Sequence, residues 1–260
     1  GVGTASFVAA ALTDFVSWRA AFIVPGAVAA LIGIALAVLV RGRHVVALKT
    51  DRRPEAEPDR GDVRRAFIVL SITMLLAGLM FQILVVSMPK LFDLRLTGLT
   101  SGGTLGTGGF VSLVFMVSAG VQIIGGWLAD RFSLRRVYVL CWAAQIPVLF
   151  LITNMREAPL LALMTLLFSL ETLTGPAENS LLVRYTPGRW RATAFGAKFV
   201  LSLGVASLGV PIAGWVFDST GDFSWLYGIM GVCVAVIVAA ALFLPRDGDR
   251  YVSPAVVPAE

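Results

Sequence analysis

The sequence predicts an all-α, membrane-embedded helical bundle, and three observations lead to this fold class. Hydrophobic residues make up 57% of the 260 residues and charged residues only 14%, whereas a soluble domain carries about 25% charged residues. The apolar residues form runs of about 20, which is the length that a helix needs to cross a bilayer. Lys and Arg concentrate in alternate connections between these runs, as the positive-inside rule requires.

Seven apolar runs are long enough to cross the membrane as helices, because a single segment in lipid must satisfy its own backbone hydrogen bonds. The earlier run Gly1–Thr13 would be about 20 Å long as a helix, too short for a hydrocarbon core about 30 Å thick. We therefore expect the chain to begin inside a helix whose first half it lacks. The predicted spans are Ala20–Val40, Ala66–Met88, Thr104–Ala129, Val137–Thr153, Pro159–Val183, Ala194–Phe217 and Leu226–Leu244.

The basic residues predict the orientation of these spans. One set of connections and ends holds 16 of the 21 Lys and Arg residues, and the alternate set holds 4. Because cytoplasmic loops carry the excess of Lys and Arg, we expect a cytoplasmic C-terminus, with a tail at residues 246–260, in the plasma (inner) membrane. The net charge of +5 follows from these helix ends and does not indicate a nucleic-acid partner.

The segment 41–65 divides the chain. It is rich in Arg, Asp, Glu and Pro, too polar to form a core, and is therefore predicted to be a flexible cytoplasmic linker. The predicted organisation is a partial transmembrane region at 1–40, the linker at 41–65, a six-helix transmembrane half at 66–245 and the tail.

A short basic loop between the third and fourth spans carries the most specific motif. Residues 126–136 read Gly-Trp-Leu-Ala-Asp-Arg-Phe-Ser-Leu-Arg-Arg. This segment resembles the G-x-L-A-D-R-x-G-R-R/K signature of the major facilitator superfamily. Ser133 stands where Gly is usual in that signature and Leu134 where a basic residue is usual, but the Gly-x-Leu-Ala-Asp-Arg core is intact.

The resemblance implies a secondary transporter built from two six-helix halves. On this basis residues 66–245 are the complete second half, and residues 1–40 are about one and a half helices of the first half. In the resembled family the signature loop latches the outward-facing state; the alternative is a loop whose charges serve topology alone. The resemblance makes gating candidates of Gly126, Asp130, Arg131, Arg135 and Arg136.

Glu171 is the main candidate for substrate or proton binding. It lies near the middle of the Pro159–Val183 span, where a charge costs on the order of 3 kcal/mol. Thr174 and Glu178 share its helix face, since they follow at three and seven residues. Pro176 is expected to interrupt the helix nearby. We expect Glu171 to bind a proton or a cationic group of the substrate; the alternative is a protonated Glu that packs two helices together.

Other polar residues within the spans have two interpretations each. Glu178 and Lys198 lie at similar depth near the cytoplasmic end, which predicts a salt bridge that breaks and forms during transport; alternatively, Lys198 extends to the membrane interface. Gln82 and Gln122 are either hydrogen-bond partners between helices or substrate ligands. The resemblance implies that the Gln82 helix and the Glu171 helix line a central cavity.

The predicted function is secondary active transport of a small solute by alternating access, with proton coupling through Glu171 as a further hypothesis. One alternative is a truncated fragment that does not transport without its N-terminal helices. A seven-helix receptor fits the number of full spans but not the signature loop. No nucleophile and base, zinc-ligand spacing or phosphate-binding loop is present, so no enzyme, cofactor or metal is predicted.

Overall fold

A computed structural model describes residues 12, 17–41, 60–99 and 104–245 of the chain. Within these residues the secondary structure is helical and contains no strand, which confirms the all-α prediction. The helices with described bounds are α1 Ala20–Arg41, α2 Arg60–Arg95, α3 Thr104–Arg131, α4 Leu134–Ile152, α5 Glu157–Tyr185, α6 Arg191–Ala206, α7 Gly209–Thr220 and α8 Ser224–Ala241, with a 3-10 turn at Gly188–Trp190.

The described part of the chain contains 7 helical segments that are long and apolar enough to cross a membrane. Each of these segments corresponds to one predicted span, and α6 and α7 together form the span Gly188–Thr220. The chain is therefore an integral membrane protein. The expected partial helix at Gly1–Thr13 lies outside the described residues, apart from Leu12.

The helix α2 is longer than its apolar run predicts. It has 36 residues and begins at Arg60, so residues 60–65 of the predicted linker are helical. Asp62 in its first turn interacts favourably with the partial positive charge of a helix N-terminus. A helix of this length extends about 54 Å, and its polar ends therefore project well beyond an apolar core about 30 Å thick.

Proline positions did not predict the helix break correctly. The helix α5 runs without interruption through Pro176. The predicted single helix Ala194–Phe217 is instead divided at residues 207–208, between α6 and α7. Pro211 lies in the first turn of α7, where a missing backbone N–H costs no helical hydrogen bond.

The chain forms two compact units, at residues 1–57 and 58–260. The first contains α1, whose described side chains are almost all exposed. In the second, α5 packs along α3 and α4, while α2 packs against α6, α7 and α8. The boundary between the units falls within the segment 41–65 that is predicted to be a linker.

Small residues bring neighbouring helices of the second unit close together, as is common where helices pack in membranes. A Cβ atom added to Gly78 of α2 would overlap the backbone of Ser202 in α6. A Cβ at Gly209 of α7 would lie 3.1 Å from Cβ of Gln82, also on α2. The two segments α6 and α7 are thus each held against α2, on either side of the break.

Arg95 joins three connections at the end of the bundle opposite to the signature loop. Its guanidinium group donates to both carboxylate oxygens of Asp222 at 2.5 and 2.6 Å and to the Ser224 hydroxyl at 2.9 Å. It also donates to the carbonyl groups of Ile152 and Thr153 at 3.1 and 2.9 Å. We call this set the Arg95 clamp; it ties the end of α2 to the α4–α5 and α7–α8 connections, and the sequence did not predict it.

The clamp lowers the pKa of Asp222. Partial burial raises the pKa of this carboxyl group, but hydrogen bonds from Arg95, Ser224 and the Phe223 backbone, together with the Arg95 charge, outweigh burial. The ionised form of Asp222 is therefore favoured in the folded protein.

The first prediction concerns the contact between α2 and α6. Gly78→Ala should lower the free energy of unfolding in detergent micelles by about 1–3 kcal/mol, because overpacking forces the helices apart. The matched control is Gly120→Ala, since no described atom lies within 4 Å of a Cβ added at Gly120. Equal stability of the two variants would contradict the close approach.

The second prediction concerns the pH dependence of the clamp. Because the pKa of Asp222 is lowered on folding, the stability that it contributes is present above the unfolded pKa of about 3.9 and is lost as pH falls through the folded value. The melting temperature of Asp222→Asn should lie below that of the wild type at pH 7, and the gap should narrow below about pH 4. Asp218→Asn, at an exposed site of α7, is the control; parallel acid profiles of wild type and Asp222→Asn would contradict the prediction.

Candidate functional site

The polar face of α5 lies inside the second unit. Glu171, Thr174 and Glu178 are all buried, with exposed fractions of 8%, 4% and 6%. Their spacing places them on one side of the helix. The residues that meet this face come from α4 and α6, so the predicted polar face contacts other helices of the same unit.

Glu178 is the centre of a polar cluster that joins three helices. Its Oε1 atom lies 2.7 Å from Nζ of Lys198 on α6, and its Oε2 atom accepts a hydrogen bond of 3.0 Å from the Tyr138 hydroxyl on α4. Lys198 also donates to Oδ1 of Asn179 at 2.6 Å. We call these four residues the Glu178 cluster. The ion pair expected from the sequence is therefore present, whereas its role in gating stays a prediction.

The geometry of Lys198 excludes an extended conformation toward the membrane interface. Its side chain is 14% exposed and its ammonium group is held by two acceptors. A buried ion pair is tolerated when its remaining hydrogen-bonding capacity is also satisfied. Tyr138 and Asn179 satisfy part of that capacity on either side of the pair.

Sequence reasoning missed the contribution of α4. Tyr138, Trp142 and Gln145 follow one another at four and three residues, so they lie on one face of α4. This helical spacing of three side chains with polar groups in an otherwise apolar span was a signal that could have been found. All three are buried, and their face meets α5: Tyr138 at Glu178 and Gln145 at Glu171.

Glu171 differs from Glu178 because one of its carboxyl oxygens accepts no hydrogen bond from any described residue. The Gln145 side chain lies beside the Glu171 carboxyl group, and the Glu178 carboxylate interacts with it electrostatically. Nevertheless, Oε2 of Glu171 is buried and receives no hydrogen bond from the described part of the chain. A carboxyl oxygen in this condition retains its capacity to bind a proton or a donor group.

The remaining candidates for substrate binding do not converge on Glu171. The Thr174 hydroxyl donates to the Glu171 backbone carbonyl at 2.7 Å, within its own helix. Gln82 is half-buried on α2 and packs against Gly209. Gln122 is exposed on α3, while Ser118, four residues earlier, shares a hydrogen bond of 3.2 Å with Ser169 of α5.

Most of the charged side chains of the signature loop are exposed. Asp130, Arg131 and Arg136 are exposed, and no ion pair of Asp130 is present among the described residues. The Arg131 guanidinium lies 5.0 Å from the Trp127 ring centroid. Arg135 donates to the Leu242 carbonyl at 2.5 Å, so it caps the C-terminus of α8. A cation is favourable at this C-terminal, carbonyl end of a helix.

Gly126, the first residue of the signature, is half-buried in the last turns of α3. An added Cβ at this position would meet nothing within 4 Å. The described contacts therefore do not explain why glycine stands here.

A groove of about 590 Å³ lies between α3 and α5. It is lined mainly by apolar side chains, with Thr165 and Ser169 as its polar members, and Glu171 is not part of it. The described residues contain no group of three or more His, Cys, Asp or Glu that could hold a metal ion. Apart from Arg95 at the end of α2, the buried charged side chains of the described residues are Glu171 and Glu178.

Comparisons with known proteins agree with the helical architecture. FucP, a major facilitator superfamily transporter solved in the outward conformation, aligns with a TM-score of 0.64 and 18% identity over 88% of this chain and 56% of FucP. At this identity the likeness shows the fold alone, and the chain spans about half the length of FucP. No curated protein matches the chain.

The family model of the Major Facilitator Superfamily matches residues 1–121 and residues 107–258. These two matches together extend over nearly the whole chain and include the signature loop. The chain therefore belongs to the major facilitator superfamily.

Proposed function

We propose that this chain is part of a secondary active transporter that moves a small solute by alternating access, and that Glu171 binds a proton or a cationic group of the solute. The observation that carries the proposal is the buried Oε2 atom of Glu171, which has no hydrogen-bond partner among the residues that the structure describes. Membership of the family supports the transport activity, and the position of this carboxyl group supports its role.

An ionisable residue in the middle of a transmembrane helix requires a physical explanation. An ionised carboxyl group near the bilayer centre is costly, and such residues commonly mark substrate or proton pathways. Glu178 is explained by its ion pair and by Tyr138. No cation of residues 17–41, 60–99 or 104–245 forms an ion pair with Glu171. A binding event would therefore change the ionisation of Glu171 itself.

The Glu178 cluster is proposed to be a gate. Each oxygen of Glu178 has a different partner: Tyr138 on α4 holds Oε2, and Lys198 on α6 holds Oε1. If Lys198 leaves, Tyr138 still satisfies half of the carboxylate, which lowers the cost of an unpaired buried charge. The ion pair is thus suited to break and form, while the contact between α4 and α5 persists.

We further propose that the signature loop and the C-terminus face the cytoplasm, in the plasma (inner) membrane. The support is the excess of Lys and Arg in the connections on that side of the bundle. The Arg95 clamp then lies at the external end. In this orientation the Glu178 cluster, near the ends of α5 and α6 that meet at the 3-10 turn, is a cytoplasmic-side gate.

The third prediction tests proton binding by Glu171 without a known substrate. Infrared difference spectra of the reconstituted protein between pH 5 and pH 9 should contain the carbonyl band of a protonated carboxylic acid. Glu171→Gln should remove that band, because an amide cannot take up the proton. Asp218→Asn, at an exposed position, is the control and should leave the band in place. An unchanged band in Glu171→Gln would refute proton exchange at this residue.

The fourth prediction is a double-mutant cycle on the gate. Lys198→Met and Glu178→Gln should each destabilise the protein by about 3–5 kcal/mol, because each leaves a buried partner uncompensated. The double variant should lose much less than the sum of the two. Unfolding in mixed micelles measures the coupling.

The exposed ion pair between Lys90 and Asp93, at 3.4 Å, is the control cycle and should show coupling of about 1 kcal/mol or less. The same four variants of Lys198 and Glu178 should also be non-additive in transport, measured with a solute found by growth screening. Additive losses in transport would remove the gating role even if the stability coupling is present.

A further inference from the structure

The Tyr138 hydroxyl lies where side chains of three helices meet inside the second unit. It donates a hydrogen bond of 3.0 Å to Oε2 of Glu178 on α5. It also has side-chain interactions with Thr73 on α2 and with Trp142 on its own helix, α4. Thr73, Tyr138 and Trp142 are each 0% exposed, so bulk water does not compete for these contacts.

Trp142 can act on this hydroxyl in one direction only. An indole N–H donates and cannot accept. Within the described ranges its nitrogen has no other hydrogen-bond partner, so the Tyr138 oxygen is the acceptor toward which it acts. The two rings also meet edge-to-face, with centroids 6.3 Å apart. Trp142 therefore holds the phenol in place and leaves the phenol proton for another partner.

The phenol proton has a choice between two acceptors. The Thr73 hydroxyl already donates to the Leu70 carbonyl at 3.1 Å, so its oxygen can accept from Tyr138. The other acceptor is the Glu178 carboxylate. A hydrogen bond to an ionised acceptor is roughly twice as strong as one between neutral groups. The proton therefore belongs to Glu178 for as long as Glu178 is ionised.

The other oxygen of Glu178 depends on a partner that is proposed to move. Lys198 on α6 holds Oε1 at 2.7 Å and also donates to Asn179 at 2.6 Å. When Lys198 departs, burial and the Glu171 carboxyl group on the same helix both favour uptake of a proton by Glu178. The hydrogen bond from Tyr138 opposes this uptake, because a bond donated to the charged form of a group stabilises that form.

We propose that Tyr138 is the positioning residue of the gate: its hydroxyl, held by Trp142 and Thr73, keeps Glu178 ionised when Lys198 moves away, so the gate opens without taking up a proton. The proposal rests on the proposed function, because it presupposes that this ion pair breaks during transport. It confines proton exchange to Glu171, and it gives α4 a part in gating although α4 supplies neither charge of the pair.

Infrared spectra of the full chain in lipid at pH 7 test the proposal, with Lys198→Met as the state in which the cation is absent. The band of a protonated Glu178 is isolated by subtracting the spectrum of the same variant with Glu178→Gln added. Lys198→Met should have no such band, whereas Lys198→Met with Tyr138→Phe should gain the band of one carboxylic acid per chain. A band in Lys198→Met alone, or none in the folded double variant, would overturn the proposal.

Tyr227 provides the matched control, because it is also 0% exposed and its hydroxyl bonds to Ser87 at 2.9 Å, away from the gate. Lys198→Met with Tyr227→Phe should therefore gain no Glu178 band. If it does gain one, loss of any buried phenol hydroxyl has the same effect and the assignment to Tyr138 is wrong.

Stability measurements cover the case in which the double variant does not fold. Lys198→Met and Tyr138→Phe each leave Glu178 one partner, but together they leave it none. Their combined loss of stability should therefore exceed the sum of the single losses. Failure of this double variant alone to fold, while both single variants and the Tyr227 control fold, is the extreme of that result. Additive or smaller combined losses would contradict the proposal.

The outcomes separate this proposal from the gate itself. Additive losses in the transport cycle of Glu178 and Lys198 would refute the gate but not the hydrogen-bonding role of Tyr138. A Glu178 band in Lys198→Met would refute the role of Tyr138 but not the gate, which would then open with proton uptake.

Discussion

The lipid bilayer imposes the constraint on which this structure depends: a polar group in the hydrocarbon core must find its partner within the protein. Backbone groups meet this requirement by forming helices. Polar side chains meet it by facing other helices, and the position of each helix therefore determines which partners exist. Among the described residues, the buried charged side chains are Arg95, Glu171 and Glu178, and each lies where several helices or connections meet.

These three residues differ in how many of their polar atoms have hydrogen-bond partners. Arg95 donates to one carboxylate, one hydroxyl and two carbonyl groups, so its end of the bundle is fixed. Glu178 has one partner from α4 and one from α6. Glu171 retains an oxygen without a hydrogen-bond partner in the described ranges of the chain. A buried polar atom without a hydrogen-bond partner is costly in a low-dielectric environment. Glu171, which retains such an atom, is therefore the strongest candidate for binding.

The division between α6 and α7 separates the Glu178 cluster from the Arg95 clamp along the chain. Lys198 lies on α6, which ends at Ala206, whereas Asp222 of the clamp follows α7. Both segments are held against α2, at Gly78 and at Gln82. The gate candidate and the clamp thus belong to separate helical segments that share one support. Proline content did not reveal this break, because the effect of a proline depends on its position in the helix.

The sequence by itself predicted the spans and the family, and it offered the pairing of Glu178 with Lys198 as one of two interpretations. The apolar length of a span can be counted along one continuous segment of sequence. Two opposite charges at the same depth in lipid are costly unless they pair with each other. Only the tertiary structure decided the roles of Tyr138, Trp142 and Gln145, since aromatic residues in an apolar span usually serve as core. It also decided the Arg95 clamp, whose charged residues are far apart in sequence and lie at helix ends, where charges are normally solvated. The physical reason is that hydrophobicity acts on each helix separately, whereas a polar partner exists only after α2, α4, α5 and α6 have packed together.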